Sequence, residues 1–109
     1  MKQLVAIGMT TFRCEADARS LISALLTEKL IACGQSEGPI RSSYLWKDKI
    51  MTETEWRAVL KFDIENKTEI ERMILSLHPY ENPQWVYWEV SAEEKYCNWV
   101  KSSSQRLKD

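Results

Sequence analysis

The sequence predicts a single α+β domain spanning residues 1–109, with an antiparallel sheet, the element order β-α-β-β-α-β and an added C-terminal helix. Three observations support this prediction. Four segments have the continuous or alternating apolar pattern of strands, and three have apolar residues at helical spacing. No linker, internal repeat or low-complexity block separates them, and a chain of this length is expected to build one core.

The first strand and the first helix have the clearest patterns. Gln3–Thr11 contains a nearly continuous apolar run, Leu4–Ile7, which is typical of a central strand covered on both faces. Apolar residues at helical spacing then predict a helix from about Glu15 to Ile31, and Gly34 is expected to stop it. This helix should cover one face of the sheet.

Two extended segments, Ile40–Trp46 and Ile50–Phe62, are predicted to form a hairpin around the polar turn Lys47-Asp48-Lys49. The second segment alternates. Its core side is expected to carry Trp56, Ala58, Leu60 and Phe62. Its other side, which faces solvent or a partner, is expected to carry Glu55, Arg57 and Lys61. Since strands usually have about 5–6 residues, this hairpin should bend or project, and a projecting edge is commonly paired with another chain.

The second helix is expected to begin at a capping box formed by Asn66 and Glu69 and to end at His78-Pro79. Its apolar stripe consists of Ile70, Met73, Ile74 and Leu77. A turn at Glu81-Asn82-Pro83 should follow.

The last strand is predicted over Gln84–Val90, where Val86, Trp88 and Val90 alternate with Trp85, Tyr87 and Glu89. A second capping box, Ser91 with Glu94, should open the final helix. Tyr96, Trp99 and Val100 lie on one side of that helix. The end, Ser102–Asp109, is expected to fray.

This order of elements is that of the ferredoxin-like split βαβ motif. Two helices pack on one sheet face in such a motif. The other face then needs solvent-tolerant residues or a partner, and the density of Trp and Tyr favours a partner.

The composition excludes several classes of function. The 15 Lys and Arg residues are balanced by 16 Asp and Glu, so we expect no nucleic-acid partner. No apolar run approaches the roughly 18 residues of a membrane span, so no membrane partner is expected. Three cysteines without an export signal indicate the reducing cytoplasm. A single histidine argues against Ser-His-Asp chemistry and against a zinc site built from a histidine cluster.

The segment Gly8–Cys14 is similar to the Gly-Met-Thr-Cys-x-x-Cys loop of ferredoxin-like heavy-metal-binding domains. Thr11 stands where the first cysteine of that loop would be. Soft Cu(I) is held by paired thiolates, so the favoured interpretation of Cys14 is a loop cysteine near a helix N-terminus. Cys33 and Cys97 are interpreted as small buried apolar residues.

Two further sets of residues have both a structural and a functional interpretation. In His78-Pro79-Tyr80, followed by Pro83, the histidine either binds the last carbonyls of its helix, which is favoured, or takes part in a site within a rigid turn. Glu55 and Lys61 form either a cross-strand ion pair or part of a cleft. The aromatic residues of Ser42–Trp46 fill a core or interface, or line a ligand pocket.

Taken together, the chain resembles the CutA family of divalent-cation tolerance proteins over nearly its whole length. The matching residues are Glu28–Cys33, Ser43–Trp46, Glu55, Lys61 and His78-Pro79-Tyr80-x-x-Pro83. The resemblance implies a ferredoxin-like fold and a tight homotrimer of PII-like architecture, in which the long β2–β3 hairpins pair across subunits. It also implies ligand clefts between subunits, lined by Tyr44, Trp46, Glu55, Lys61 and Tyr80.

The same resemblance implies copper or another divalent cation as the cofactor, with His78 as the metal ligand. Copper binding in the family is ascribed to a cysteine near the end of the first strand and to a His-His pair before Pro-Tyr. Here the cysteine position falls near Met9 or Thr10, and Leu77 replaces the first histidine. Met9 is a soft substitute, and Cys14 is a less well placed one.

The predicted function is therefore that of a non-enzymatic trimer linked to copper and divalent-cation tolerance, which binds a metal or a small ligand between subunits. One alternative is a PII-like signalling or scaffold trimer without metal. A small acylphosphatase-like enzyme needs a phosphate-cradling Gly-rich loop, which is missing around Arg13. An RNA-recognition sheet needs an aromatic motif that the strands lack. The sequence leaves the protein partner and the ligand unidentified.

Overall fold

The computed structural model describes residues 3–105 and has the predicted α+β architecture. Its elements are β1 (Leu4–Phe12), α1 (Glu15–Thr27), β2 (Cys33–Trp46), β3 (Lys49–Phe62), a 3₁₀ turn (Ile64–Asn66), α2 (Lys67–Leu77), β4 (Val86–Ser91) and α3 (Glu94–Ser103). The four strands form one antiparallel sheet in the order β2-β3-β1-β4. None of the helices in this part of the chain is long and apolar enough to cross a membrane.

One face of the sheet is covered by α1 and α2 and forms the main core. Ala6 of β1 lies opposite Phe62 of β3, and Phe12 lies opposite Trp56, so the alternating residues of both strands point toward the helices. The predicted inner side of β3 is confirmed, since Ala58, Leu60 and Phe62 are fully buried and Trp56 packs against them. Buried residues of α1 and α2 complete this core, namely Ala18, Leu21, Ile22, Leu25, Ile70 and Ile74.

The opposite face of the sheet is covered at one end only. There α3 packs Cys97 and Val100 against Val5, which confirms the interpretation of Cys97 as a buried apolar residue. Farther along, five apolar side chains remain half-buried or exposed, and we call them the open face. They are Ile7, Met9, Val59, Val86 and Trp88. Ile7 pairs with Trp88, and Met9 pairs with both Val86 and Val59, so these side chains are contiguous.

The first helix is shorter than predicted. It ends at Thr27 rather than Ile31, because Lys29 has a φ of 56°, in the left-handed region where a helix cannot continue. Leu30 and Ile31 are still buried, but as part of the turn that leads back to the sheet. Gly34 does not stop the helix. It is the second residue of β2, where an added Cβ would lie 2.6 Å from Cγ2 of Ile22.

The hairpin is longer and tighter than predicted. β2 begins at Cys33 rather than Ile40, so Cys33 is a half-buried strand residue. The turn contains two residues, Lys47 and Asp48, and both have positive φ values, as a type I′ turn requires. Pairing of β1 with β3 stops at Trp56, so the outer part of the hairpin projects beyond the sheet as predicted. A bulge between Glu37 and Ile40 interrupts the pairing.

The first predicted capping box has its N-cap residue in the right place, because α2 begins directly after Asn66, whereas the second box is wrong by two residues. Asn66 makes no cap bond. Its side-chain amide donates to the carbonyls of Leu30 and Ser104, at 3.0 and 2.5 Å, and joins three parts of the chain. The final helix is capped by Glu93, whose carboxylate accepts from the amides of Lys95 and Tyr96 and thereby has a lowered pKa. Ser91 is instead the last residue of β4.

Two further expectations for the C-terminal part differ from the structure. Ser102–Ser104 is ordered rather than frayed, because the hydroxyl of buried Ser104 donates to the Val100 carbonyl and accepts from the Asp63 amide. The rest of the predicted frayed end, residues 106–109, lies outside the described residues. β4 begins at Val86 rather than Gln84, because the preceding Trp85 packs into the core beside Phe62 and over Gly8.

Candidate functional site

A cluster of polar and aromatic side chains lies at the base of the projecting hairpin. We call it the hairpin-base cluster, and it comprises Arg13, Tyr44, Glu53, Glu55 and Tyr80. Glu55 is only 7% exposed, although the sequence predicts it on the side of β3 that faces solvent or a partner. The Tyr80 hydroxyl compensates for this burial, since it donates to Oε2 of Glu55 over 2.6 Å. Since Glu55 lies one residue beyond the last β1–β3 pair, the end of β1 leaves room for this contact.

The predicted ion pair between Glu55 and Lys61 does not form. The two residues are six positions apart on the same strand, which corresponds to a distance of about 20 Å. Lys61 lies instead at the inner end of β3, between Cys33 of β2 and Ile7 of β1. Glu55 therefore depends on a phenol, not on an ammonium group, for its hydrogen bond.

The remaining members of the hairpin-base cluster surround this hydrogen bond. The Arg13 guanidinium lies 3.8 Å from a carboxylate oxygen of Glu53 and 5.4 Å from the centre of the Tyr80 ring. Burial and the Glu55 carboxylate raise the pKa of Tyr80. Partial burial and the Glu53 carboxylate similarly raise the pKa of Tyr44. Both phenols therefore stay protonated at neutral pH and act as donors toward the two carboxylates.

His78 is the C-cap residue of α2, and its ring is held by two hydrogen bonds. Its Nε2 lies 2.8 Å from the carbonyl oxygen of Thr11, and its Nδ1 accepts from the Tyr80 amide over 3.1 Å. The ring also stacks on Phe12, with the centroids 4.2 Å apart. An amide can only donate and a carbonyl can only accept, so the ring is the neutral tautomer protonated at Nε2. The expectation that His78 binds the last carbonyls of its own helix is confirmed only for the backbone amide, which donates to the Ile74 carbonyl, because the ring turns toward β1.

Stability should depend on pH through His78. Burial lowers the pKa of His78, while the Thr11 carbonyl and the carboxylates of Asp17 and Glu55 act in the opposite direction. The unfolded chain therefore binds the proton first, near the ordinary histidine pKa of about 6.5. The stabilisation is fully present above that pH and is lost as the pH falls through it toward the folded pKa.

We expect urea denaturation to show this loss as a stability difference between the wild type and His78→Asn that narrows from pH 7.5 to pH 5.5. The asparagine variant serves as the control, because it has no titratable group at this position. A difference that stays constant over this range would contradict the expected shift.

The residues of the described chain do not fit a resident copper ion within one subunit. Among residues 3–105, no three His, Cys, Asp or Glu side chains come close enough together to hold a metal. Both nitrogens of His78 are already hydrogen-bonded. Met9 belongs to the open face, whereas His78 stacks on Phe12 on the helix-covered face, so the two do not share a site. Cys14 is exposed at the start of α1.

The structure brings only some of the predicted cleft residues together. Tyr44, Glu55 and Tyr80 lie in the hairpin-base cluster, and the His78 ring is 4.8 Å from that of Tyr80. Trp46 lies at the hairpin tip and is 56% exposed, and Lys61 is at the far end of β3. Sequence reasoning missed Arg13 as a partner of Glu53. The available signal was that Glu53 precedes Glu55 by two residues and so shares its side of the strand.

The fold and this cluster define a ferredoxin-like α+β protein with a projecting hairpin and a tyrosine–carboxylate cluster at its base. The sequence profile of the CutA1 divalent ion tolerance proteins matches residues 6–103. The chain therefore belongs to the CutA1 divalent ion tolerance family.

Relatives and solved structures agree with this assignment. The divalent-cation tolerance protein CutA of Thermotoga maritima is 36% identical over 95 residues, which cover 86% of this chain and 93% of the relative. The protein of the same name from Escherichia coli (strain K12 / DH10B) is 30% identical over 90 residues, covering 82% and 80%.

Two crystal structures have the same fold. The divalent ion tolerance protein CutA1 of Ehrlichia chaffeensis superposes with a TM-score of 0.89 at 30% identity, covering 96% of this chain and 98% of that one. CutA of Pyrococcus horikoshii gives a TM-score of 0.87 at 32% identity, covering 92% and 99%.

Proposed function

We propose that the protein is a non-enzymatic homotrimer that contributes to divalent-cation tolerance and binds a small ligand in clefts between its subunits. The observation that carries this proposal is the open face. Val86 and Trp88 are 42% and 43% exposed there, beside half-buried Ile7, Met9 and Val59. A contiguous apolar patch at the centre of a sheet is typical of an interface, because exposing it to water is costly.

The projecting hairpin supports the same assembly. Its outer strands pair only with each other within the described residues, so their free edges offer amides and carbonyls to a further strand. A second copy of the chain would cover both the hairpin edge and the open face, and identical subunits usually assemble with closed symmetry.

The distribution of the predicted cleft residues favours a site shared between subunits. Within one chain, Trp46 at the hairpin tip and Lys61 at the inner end of β3 are both remote from Glu55. A hairpin that reaches a neighbouring subunit carries Trp46 away from its own hairpin-base cluster and toward another chain. The proposed cleft is thus lined by residues of two subunits, with Tyr44, Glu55 and Tyr80 from one of them.

The link to divalent cations rests on the family and on the names of the relatives. Both ring nitrogens of His78 are hydrogen-bonded, and this favours a role without a resident copper ion. The PII-like signalling or scaffold alternative also has no resident metal. The acylphosphatase alternative depends on Arg13, and its guanidinium lies against Glu53 and Tyr80 instead of an open anion site. This arrangement favours a binding role over catalysis. The expected cytoplasmic location stays a prediction.

Sedimentation equilibrium of the purified wild-type chain tests the proposal. We expect a mass of three subunits at micromolar concentration, and the mass of the chain in 6 M guanidinium chloride provides the monomer reference. A monodisperse monomer in native buffer would overturn the trimer and, with it, the cleft between subunits.

A further inference from the structure

We infer that His78 is a positioning residue and not a metal ligand: its imidazole fixes the loop after α2 so that the Tyr80 hydroxyl reaches Glu55 at the base of the hairpin. All the contacts that support this inference lie within one chain. The inference can therefore be tested independently of the proposed trimer.

Neither ring nitrogen of His78 has a free lone pair for a metal. A histidine binds a metal through an unprotonated nitrogen. Nε2 carries the proton that it donates to the Thr11 carbonyl, and the lone pair of Nδ1 is taken by the Tyr80 amide. A metal ion at either nitrogen would have to break one of these bonds, and at Nε2 it would also have to displace the proton. The folded loop therefore competes directly with metal binding.

The His78 ring also holds the loop that follows α2. Pro79 has no amide hydrogen, so the first main-chain donor after His78 is the amide of Tyr80. Nδ1 accepts from that donor and closes a tight turn over Pro79. The turn is anchored on its other side by Nε2 at Thr11, and stacking on buried Phe12 fixes the plane of the ring. The position of Tyr80 is thus set by the ring of His78.

The loop held by His78 in turn contacts the base of the hairpin. Glu55 is almost fully buried, and its carboxylate oxygen accepts the phenol of Tyr80 at 2.6 Å. Contacts therefore run continuously from the end of β1 at Thr11, through His78 and Tyr80, to β3 at Glu55. This connection attaches the loop after α2 to the base of the hairpin. If it is lost, a buried carboxylate loses the hydrogen bond that compensates for its burial.

Nitrogen NMR of the wild-type protein tests both the tautomer of His78 and whether its ring binds a metal. Because the chain contains a single histidine, the two imidazole nitrogens can be assigned directly. At pH 7.5 we expect a protonated Nε2 and an unprotonated Nδ1, and we expect both shifts to stay unchanged when one equivalent of Zn²⁺ is added. A shift of either nitrogen with Zn²⁺, or protonation at Nδ1, would overturn the inference.

Three variants test the positioning role. His78→Ala removes both bonds, and His78→Asn keeps an acceptor close to the position of Nδ1. His78→Gln keeps an amide donor close to the position of Nε2. We expect the amide resonances of Tyr80 and Glu55 to move most in His78→Ala and less in the two amide variants. Leu77→Ala, at the exposed neighbouring position, is the matched control and should leave both resonances in place.

Copper titration of the same proteins separates positioning from ligation. We expect the wild type and His78→Ala to bind Cu²⁺ with affinities within about threefold of each other. A tenfold or larger loss of Cu²⁺ affinity in His78→Ala would contradict the inference, as would unchanged Tyr80 and Glu55 resonances in that variant. Should His78→Ala fail to fold, the amide variants and the wild-type nitrogen spectra still decide the question.

Discussion

Replacing Phe12 with alanine should lower the free energy of unfolding by about 3–5 kcal/mol, the range typical of a large aromatic residue removed from a core. Phe12 is only 1% exposed and belongs to the main core beneath α1 and α2. Its ring also supports His78, with 9° between the two planes. The alanine variant therefore creates a cavity and at the same time removes the surface on which the imidazole is stacked.

Urea denaturation at one fixed protein concentration measures this effect, since oligomerisation makes apparent stability depend on concentration. Leu75→Ala is the control, because Leu75 is 61% exposed on α2, away from the hairpin and the open face, and its removal should change the stability by less than about 0.5 kcal/mol. A loss below about 1 kcal/mol for Phe12→Ala would show that the surrounding side chains collapse into the space.

The parts of the fold that the sequence predicted correctly are those with a strong local period. β3 alternates cleanly from Trp56 to Phe62, and the structure buries the predicted side. The stripe of α2 is likewise confirmed at Ile70 and Ile74. In such segments the buried residues recur at the period of the strand or the helix, so the pattern can be recognised in a single sequence.

The errors in the fold occur where tertiary contacts override local patterns. The first part of β2, from Cys33 to Glu37, has little apolar alternation, because it forms an edge of the sheet and is held mainly by pairing with β3. Asn66 has the right residue type for a helix cap, but it bonds to Leu30 and Ser104, which are 36 and 38 residues away. A local sequence pattern cannot indicate hydrogen bonds to carbonyls that are so far away along the chain.

The sequence predicted the candidate site only in part. The family motif supplied Tyr44, Glu55, His78 and Tyr80, and the structure groups them around the hairpin base. What the motif could not supply is the direction of the His78 ring. Whether Nδ1 and Nε2 are free depends on the Tyr80 amide and the Thr11 carbonyl, and the latter lies 67 residues away. The metal interpretation was therefore open from sequence and is disfavoured by geometry.

Val59→Glu should convert the proposed trimer into a monomer. Val59 lies on the open face, opposite Met9 of β1 and Gln35 of β2, and it is only half-buried in the isolated chain. A carboxylate there can remain hydrated in the monomer, so folding should be largely preserved. If the open face is the interface, each subunit would have to bury an unpaired charge, at a cost of several kcal/mol.

Sedimentation of Val59→Glu at micromolar concentration should therefore give the mass of one subunit, while circular dichroism retains the wild-type spectrum. Ser23→Glu introduces the same charge on the exposed side of α1, away from the open face, and should leave the trimer intact. Because the substituted position would be buried once in every subunit, dissociation should be complete. A trimer that persists in Val59→Glu would place the interface elsewhere and would leave the apolar residues of the open face without a role in assembly.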